Sequence, residues 1–524
     1  MTSPSVAAVS RPAAATPSVA RSAVWGMASF VVTIAITFYQ TPFILAALGD
    51  SRYGTWTLIG QVTGYYGLLD LGTRGAIAHF VSRHLAADAP SEANRYISAG
   101  LTMLTLAGLI VLLTGGLLLW GFPSLFTAEG VNPIEVRSAL AVMLAVVALT
   151  LPFEVAGAII QGCRRPELGT VFDTVLRFAA FGAIVLALRS GGGLLALALI
   201  QASTRAAGWL YLSYQARRLF PDVALAPSLR DREPMRDLFG YGSRTVLVSL
   251  SRLVISRLDV VVVGAFVGVR AVTVYVLGQT ILTYLSNFVS VITRPFTAHF
   301  THHHAKGDRS TLIRLYLDGS RFSAAAACSL SSLAISFAAP FLALWVGAEY
   351  VTGTWRERSD IVMIALLVGQ IPRMVQSISW QLLFGLKEAG ALARLLAVEA
   401  LANVALSLLF VHWFGLVGVA LGSVVPMLLT NLFRLPKLVC RRLDLDARTY
   451  ARRGPGRGVL AGGLTLALGL AIESTLTLGS WPRLLGAGAV TAAGSALAVW
   501  LIVLTADERT RVSLNLSRRI GLAP

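Results

Sequence analysis

The sequence TPFILAALGDSRYGTWTLIGQVTGYYGLLDLGTRGA, residues 41–76, contains the end of one apolar run, a short turn and most of a second apolar run. The second run carries Asp70 and Arg74. An ionisable side chain near the middle of a bilayer costs at least about 2.5–3.5 kcal/mol, so it usually faces protein or a water-filled cavity and has a function. These two charges are therefore the first candidates for a functional site.

The composition of the whole chain is that of a polytopic membrane protein. Its 524 residues are 55% hydrophobic and only 13% charged, and the mean hydropathy is +0.70, which is unlike ordinary soluble domains. The three cysteines, Cys163, Cys328 and Cys440, are scattered and predict neither a disulfide framework nor a metal cluster. No GxxxxGKS or GxxxxGKT motif is present, which disfavours ATP binding. We therefore expect no cofactor and no enzymatic activity.

Fourteen apolar runs predict fourteen membrane-spanning helices and an all-α fold. About 20 residues of helix are needed to cross about 30 Å of hydrocarbon at 1.5 Å per residue, and each run reaches that length. The predicted spans are residues 23–48, 54–82, 97–121, 137–161, 168–188, 192–215, 239–267, 271–300, 314–347, 359–386, 389–412, 414–438, 457–479 and 484–505.

Basic residues are distributed as expected for a membrane protein with both termini in the cytoplasm. Of the 44 Lys and Arg residues, 27 fall in the tails, in the predicted cytoplasmic loops or at span ends next to them, 7 in the loops on the other side or at a span end next to them, and 10 deeper within the spans. Cytoplasmic loops are typically enriched in Lys and Arg. The net charge of +18 is thus explained by membrane orientation, and we expect no nucleic-acid partner.

Two longer charged connections, at 216–238 and 439–456, divide the spans into groups of six, six and two. A weak repeat supports two similar lobes, because Gly49–Tyr65 and Gly268–Tyr284 both contain a turn glycine, a Gly-Gln pair and a final tyrosine. The predicted units are a disordered cytoplasmic tail (1–20), an N-lobe of spans 1–6 (21–216), a cytoplasmic linker (217–238), a C-lobe of spans 7–12 (239–438), a cytoplasmic loop (439–456), spans 13 and 14 (457–505) and a cytoplasmic tail (506–524).

Several charged residues fall near the middle of the predicted spans. Asp70 and Arg74 are one helical turn apart, which places them on one face of a continuous helix. They could neutralise each other or contact a ligand, and Asp173 with Arg177 leaves the same alternatives open. Mid-depth arginines occur on four different spans, at Arg74, Arg205, Arg252 and Arg373.

Three segments resemble the polysaccharide transporter family, the Wzx-type oligosaccharide flippases. Residues 41–82 contain Pro-Phe, Leu-Gly-Asp, Tyr-Gly-x-Trp and Leu-Asp-Leu-Gly elements similar to the first two spans of that family. Residues 257–264 (RLDVVVVG) resemble its seventh span, and residues 415–422 (GLVGVALG) resemble its twelfth. Many members have twelve spans, whereas the related lipid II flippases have the fourteen predicted here.

This resemblance implies a member of the multidrug/oligosaccharidyl-lipid/polysaccharide (MOP) superfamily. Its members have two six-helix lobes around a central cavity that opens alternately to each side, and here two C-terminal helices would be added. The family moves undecaprenyl-pyrophosphate-linked oligosaccharides, such as O-antigen or exopolysaccharide repeat units, from the cytoplasmic to the periplasmic leaflet. The resemblance therefore implies a location in the bacterial cytoplasmic (inner) membrane, contact with membrane lipids, and polysaccharide polymerase and export proteins as further partners.

The in-membrane polar residues can be assigned roles in such a cavity. Arginine suits a pyrophosphate because its planar guanidinium donates two hydrogen bonds and stays charged, and an amide can hydrogen-bond a sugar. The substrate-binding candidates are Arg74, Arg205, Arg252, Arg373, Gln61 and Gln279. Acids inside the membrane can carry a proton or Na⁺. The ion-coupling candidates are Asp70, Glu154, Asp259 and Glu399.

Three other functions remain open. A lipid II flippase-like protein would share the predicted cavity, and a multidrug exporter that exchanges cations would need unpaired acids, whereas the spans contain ten arginines and fewer acids. A membrane glycan-modifying enzyme is an alternative of a different class. The consecutive histidines at 302–304 are expected to lie in a solvated cytoplasmic turn rather than in a metal site.

Overall fold

The computed structural model of the protein describes residues 19–519 except 71, 127–129, 164, 166, 222 and 224–231. These residues form helices joined by short turns, with no β-strand among them, and the predicted all-α fold is confirmed. Most of the predicted N-terminal tail, much of the linker at 217–238 and the last five residues of the C-terminal tail lie outside the described residues.

The first six predicted spans correspond to seven helices, which we call the N-lobe. The second span consists of two helices, α2 and α3, separated by a 3-10 turn at Tyr66–Asp70. The helices are α1 (Val19–Leu48), α2 (Asp50–Tyr65), α3 (Thr73–Ala86), α4 (Pro90–Leu125), α5 (Pro133–Gly162), α6 (Glu167–Arg189) and α7 (Leu194–Leu219).

The next six predicted spans correspond to nine helices, which we call the C-lobe. Spans 11 and 12 share one helical run, α15, which Gly415 interrupts with a φ of 58° and a ψ of −130°. The helices are α8 (Arg232–Phe266), α9 (Val269–Thr293), α10 (Phe296–Ala305), α11 (Arg309–Ser336), α12 (Ala338–Trp345), α13 (Ser359–Val375), α14 (Ser377–Gly385), α15 (Ala389–Leu428) and α16 (Leu435–Arg442).

Four further helices follow the two lobes. Spans 13 and 14 correspond to α18 and α19, and α19 continues in a π-helical segment at Val499–Val503. The helices are α17 (Ala447–Arg453), α18 (Gly456–Thr475), α19 (Trp481–Ala498) and α20 (Ala506–Arg519). Each of the fourteen predicted spans thus corresponds to a helix or a run of helices.

Length and composition support the membrane assignment. Within the described residues, eight helical runs are long and apolar enough to cross a bilayer, or nine when α11 and α12, which are bent by 66°, count as one span. The helix α8 is less apolar because it carries Arg252, Arg257 and Asp259 in its second half. The helix α8 thus departs from a plain apolar span at two of the candidate site residues, Arg252 and Asp259.

The histidines at 302–304 lie in the last turn of α10, so the prediction that they form a turn is wrong. The turn lies just beyond them, at Gly307 and Asp308, where Gly307 has a φ of 68°. His303 Nδ1 is 3.3 Å from Asp308 Oδ2. The backbone N–H of Thr311 lowers the pKa of Asp308 to about 2, because the carboxylate caps the first turn of α11.

The two lobes meet where α2 and α9 begin, a contact that we call the Asp50 end. Both helices start after a glycine of positive φ, Gly49 at 74° and Gly268 at 114°. The helices approach so closely that a Cβ on Gly54 would lie 1.9 Å from the carbonyl oxygen of Val269. The repeat noted in the sequence therefore corresponds to two helix starts with the same local geometry, packed against each other.

Polar bonds reinforce the Asp50 end. Thr273 Oγ1 donates to the backbone oxygen of Asp50 (2.7 Å), and Arg270 Nε donates to Asp50 Oδ2 (3.2 Å). The Tyr350 hydroxyl donates to Asp50 Oδ1. Burial and the hydrogen bond to Asp50 raise the pKa of Tyr350, so its hydroxyl stays protonated and remains a donor. One N-lobe aspartate thus binds three side chains of the C-lobe.

The helix α8 connects the lobes along its length. Near its start, Leu238 is fully buried beside Gly100 of α4, and Asp237 Oδ2 accepts a hydrogen bond from the Tyr96 hydroxyl (2.9 Å). Its second half lies against α9 and α15 of the C-lobe and carries the buried residues Val260 and Val263. Side chains between these two parts can therefore reach both lobes.

Candidate functional site

The second span breaks at its charged residues. After the 3-10 turn, Gly72 adopts a left-handed conformation with a φ of 74°, and α3 then begins. Asp70 Oδ1 accepts a hydrogen bond from the backbone N–H of Arg74 (3.0 Å), so the carboxylate caps α3. The prediction that Asp70 and Arg74 share the face of a continuous helix is therefore wrong, because the helix is interrupted between them.

The Arg74 guanidinium binds another helix instead. Its Nη1 atom lies 2.6 Å from Glu154 Oε2 on α5, and the two side chains are 48% and 27% exposed. Arg205 on α7 interacts electrostatically with the same Glu154. Within the described part of the chain, no carboxylate oxygen lies within 4.0 Å of the Arg205 guanidinium. Glu154 thus lies near two arginines but is paired with only one.

These residues line a cavity of about 690 Å³, which we call the N-lobe cavity. Its walls are α1, α2, α3, α5 and α7, with α8 and α9 contributing one residue each. Of the predicted site residues, the lining includes Gln61, Asp70, Arg74, Glu154 and Arg205. Five of the ten predicted site residues therefore come together here.

Neutral polar residues line the part of the N-lobe cavity nearer the Asp50 end. Thr37, Gln40 and Thr41 lie on one face of α1, and Trp56 and Thr57 lie one to two turns into α2. The sequence prediction missed Gln40 and Trp56. The spacing of Thr37, Gln40 and Thr41 at i, i+3 and i+4 in an otherwise apolar helix is the signal that could have identified this face.

A second cavity of about 610 Å³, which we call the C-lobe cavity, is lined by α8, α9, α13, α14 and the last part of α15. Arg252, Asp259, Gln279 and Arg373 line it. Arg252 interacts unfavourably with Arg373 and with Arg294, and among the described residues it has no carboxylate within 4.0 Å. The C-lobe cavity therefore contains an arginine whose charge has no local partner.

Arg373 differs from Arg252 because it has a buried partner. Its Nη1 atom is 3.3 Å from Glu399 Oε1, and the Glu399 side chain is only 1% exposed. The remaining Glu399 oxygen, Oε2, has no hydrogen-bond partner. Glu399 thus lies behind the cavity wall, where it neutralises Arg373.

Asp259 is held inside the C-lobe by neutral donors. The Tyr275 hydroxyl donates to its Oδ2 (2.7 Å), and Ser423 Oγ lies 2.7 Å from both carboxylate oxygens. Asn403 Nδ2 donates to Ser423 Oγ (2.5 Å), and Asn403 Oδ1 has no partner. Within the described residues no arginine or lysine pairs with Asp259. Oxygen atoms of this kind can hold a proton or a small cation.

The structure therefore divides the predicted site into two groups. Arg74 and Arg205 line one cavity, whereas Arg252 and Arg373 line the other. The four arginines therefore do not line a single cavity, contrary to the prediction from the sequence. Arg257 lines the N-lobe cavity from α8 and was not among the predicted residues. Arg257 reaches this cavity because α8 packs against α2. The sequence of α8 alone does not show which helix it packs against.

Comparisons with known proteins agree with this architecture. Over 508 residues the chain is 21% identical to the uncharacterized membrane protein EpsK of Bacillus subtilis (strain 168), covering 93% of this chain and 95% of that one. Among solved structures it is similar to the lipid II flippase MurJ in an inward closed conformation, with a TM-score of 0.69, 12% identity, and 91% and 98% of the two chains covered.

A multidrug resistance MATE family transporter of the MOP superfamily, in an inward-facing conformation, is also similar, with a TM-score of 0.59 and 16% identity. That match covers 80% of this chain and 99% of the other. At these identities the solved structures show a shared fold. Residues 19–296, more than half of the chain, match the family described as polysaccharide biosynthesis proteins. The chain belongs to this family, and its fold is that of the MOP superfamily transporters.

Proposed function

We propose that the protein translocates an undecaprenyl-pyrophosphate-linked oligosaccharide from the cytoplasmic to the periplasmic leaflet by alternating access. The observation that carries this proposal is the N-lobe cavity, in which Arg74 and Arg205 lie beside a surface of neutral hydroxyl, amide and aromatic side chains. The arginines suit a pyrophosphate, and the neutral surface suits sugar hydroxyls and ring faces. The polyprenyl tail would remain in the bilayer.

The sign of the charges favours an anionic ligand over a cationic one. Among the described residues that line the N-lobe cavity, the charged ones are three arginines, Arg74, Arg205 and Arg257, and two acids, Asp70 and Glu154. The described lining of the C-lobe cavity contains two arginines, Arg252 and Arg373, and one acid, Asp259, which is buried. A site for cationic drugs needs accessible unpaired carboxylates, so we favour the flippase over a multidrug antiporter although both have this fold.

Ion coupling would allow transport against a gradient. We propose Asp259 as the ion carrier because it is buried, its hydrogen-bond partners are neutral, and it lies beside the C-lobe cavity. A carboxylate in such a place binds a proton or Na⁺ more readily than one already neutralised by arginine. Glu399 and Glu154 are weaker candidates for this role, since each is paired with an arginine.

The decisive experiment reconstitutes the purified protein in liposomes containing a radiolabelled lipid-linked oligosaccharide and measures its appearance in the opposite leaflet. We expect translocation by the wild type, recovery of a chemically unchanged lipid, and a rate at least about tenfold lower for Arg74→Ala and Arg252→Ala at equal amounts of folded protein. Arg189→Ala, outside both cavities, is the matched control.

Other outcomes would overturn the proposal. Movement of lipid II but of no lipid-linked oligosaccharide would assign a lipid II flippase, and uptake of a fluorescent organic cation would assign an antiporter. A chemically altered lipid would assign an enzyme. In cells we expect the protein in the inner membrane with both termini cytoplasmic, beside polysaccharide polymerase and export proteins.

A further inference from the structure

We propose, building on the function proposed above, that Arg257 is a pyrophosphate sensor. In the unloaded protein its guanidinium holds the C-lobe helix α8 against the N-lobe helix α2. When the pyrophosphate of the substrate binds to it, this link is released and the lobes become free to move. Arg257 is thereby a substrate-binding residue that also positions the two lobes.

The geometry of Arg257 joins the two lobes at the cavity wall. Its Nη1 atom donates to Gln61 Oε1 (2.9 Å) and lies 3.4 Å from the carbonyl oxygen of Gly60. A Cβ on Gly64 would lie 2.2 Å from the same Nη1 atom, so the guanidinium rests against bare backbone of α2. Arg257 also lines the N-lobe cavity. A cavity ligand can therefore reach the group that links the lobes.

The link between Arg257 and α2 involves only uncharged acceptors, so an anionic ligand can compete for the guanidinium. Within the part of the chain that the structure describes, no carboxylate lies within 4.0 Å of the Arg257 guanidinium, and its acceptors are an amide and a carbonyl. Arg74 and Arg373, in contrast, are each paired with a glutamate. A phosphate adds an opposite charge and can accept two parallel N–H bonds from one guanidinium, whereas Gln61 and Gly60 are uncharged acceptors. A phosphate oxygen would therefore replace Gln61 and Gly60 as the partner of Arg257.

Release of Arg257 would act on the most interrupted span of the N-lobe. The link lies on the last two turns of α2, immediately before the 3-10 turn and the left-handed Gly72. Beyond this break, α3 carries Arg74, which lines the same cavity. A pyrophosphate that binds both arginines would draw α3 toward the ligand while freeing α2 from α8, so that only a loaded cavity favours movement.

Binding of a short pyrophosphate probe tests whether Arg257 contacts the pyrophosphate. Titration of the full-length protein in nanodiscs with farnesyl pyrophosphate should give an affinity about tenfold to hundredfold weaker for Arg257→Gln than for the wild type. Arg257→Lys keeps the charge but loses the planar fork, and its affinity should be intermediate. Gly64→Ala should also weaken binding, because the new methyl group displaces the guanidinium.

The matched control is Gly116→Ala, where a Cβ meets nothing within 4 Å on the exposed side of α4. Its affinity for the probe should stay within about twofold of the wild-type value. Equal affinity of Arg257→Gln and the wild type would overturn the proposed contact with pyrophosphate.

A distance measurement tests whether pyrophosphate binding releases the link between α8 and α2. Spin labels at Ile134 and Trp355, both exposed and near the Asp50 end, report the separation of the lobes after the three native cysteines are replaced by alanine. Farnesyl pyrophosphate should lengthen the distance between the two spin labels in the wild type. Gln61→Ala should lengthen it without probe, and Arg257→Gln should be long without probe and unresponsive to it.

The outcomes separate a sensor from a purely structural clamp and from a failure of the proposed function. If Arg257→Gln opens the lobes but binds the probe as the wild type does, Arg257 is only a clamp and the sensor is overturned. If the wild type binds no pyrophosphate probe, the sensor and the proposed substrate class fail together. The remaining case is that both the wild type and Arg257→Gln bind the probe and move the oligosaccharide at the same rate. The proposed role of Arg257 is then wrong, whereas the proposed function stands.

Discussion

The two cavities differ in how their charges are neutralised. In the N-lobe cavity, Arg74 and Glu154 form a half-exposed pair, while Arg205 and Arg257 have no carboxylate partner among the described residues. In the C-lobe cavity, Glu399 is almost fully buried behind Arg373, and Asp259 is enclosed by neutral donors. Both cavities offer an arginine without a carboxylate partner among the described residues, but the acid paired with an arginine is partly exposed at the N-lobe cavity and buried in the packing at the C-lobe cavity.

This difference separates binding from stability. Exposed pairs contribute about 0–1 kcal/mol to folding, whereas removal of one member of a buried pair costs about 3–5 kcal/mol. We therefore expect substitutions of N-lobe charges to change ligand affinity and substitutions of C-lobe charges to change the free energy of unfolding. Arg252 is the exception on the C-lobe side, since its charge has no local partner.

The largest effect is expected for Arg373→Ala. The substitution leaves Glu399 buried without a counter-charge, so the free energy of unfolding should fall by about 3–5 kcal/mol. Denaturant unfolding in detergent micelles measures the change. The double variant Arg373→Leu with Glu399→Leu removes both charges and should recover most of the loss. Equal stabilities of the single variant and the wild type would contradict the buried pair.

The next largest effect is expected for Asp259→Ala. It removes the acceptor of the Tyr275 and Ser423 hydroxyls, and each buried unpaired hydroxyl costs about 1–3 kcal/mol. We expect a loss of about 2–4 kcal/mol in the same unfolding measurement. Asp259→Asn keeps an acceptor oxygen and should lose about 1 kcal/mol or less. If both variants lost the same amount, the charge rather than the hydrogen bonds would be what stabilises this part of the C-lobe.

A smaller effect of opposite sign is expected for Arg252→Gln. Removal of this charge relieves its repulsion by Arg373 and Arg294, so the free energy of unfolding should stay unchanged or rise by up to about 1 kcal/mol. Translocation in liposomes should nevertheless fall. Arg252→Lys, which keeps the charge, should show no such gain in stability. A loss of stability in Arg252→Gln would show that Arg252 has a structural role.

The smallest effect on stability is expected for Glu154→Gln. The Arg74–Glu154 pair is partly exposed, so the free energy of unfolding should change by less than about 1 kcal/mol. The affinity for farnesyl pyrophosphate should rise by up to about fivefold, because Arg74 is released and a negative charge is removed. Glu135→Gln, in the partly exposed pair with Arg52 outside the cavity, is the matched control. A weaker affinity would indicate that Glu154 orients Arg74 for the ligand.

The sequence predicted the helical spans well because the bilayer sets their length and apolarity, and each span then stands out locally. It did not predict the break formed by the 3-10 turn at Tyr66–Asp70 and by Gly72, since glycines are common in membrane helices and many of them leave the helix intact. The left-handed Gly72 is recognisable only once the backbone is known. The error about Asp70 and Arg74 follows directly from that break.

Residue type identified cavity-lining residues, but it did not identify the partners of those residues. Mid-depth charges are rare enough in membrane helices to stand out, and nine of the ten predicted residues line one of the two cavities, with Glu399 behind the wall. Their grouping depends on contacts between distant parts of the chain, such as Arg74 with Glu154 and Arg257 with Gln61. No local pattern contains those contacts.

The Asp50 end has a consequence for the rate of transport. Because one aspartate residue is bound by Arg270, Thr273 and Tyr350, and because Gly54 lies against the backbone of Val269, separating the lobes there requires several contacts to break together. Packed contacts of this kind behave as two-state elements rather than deforming gradually. We therefore expect opening of the Asp50 end, rather than passage of the transported molecule through the cavity, to limit the turnover of the protein.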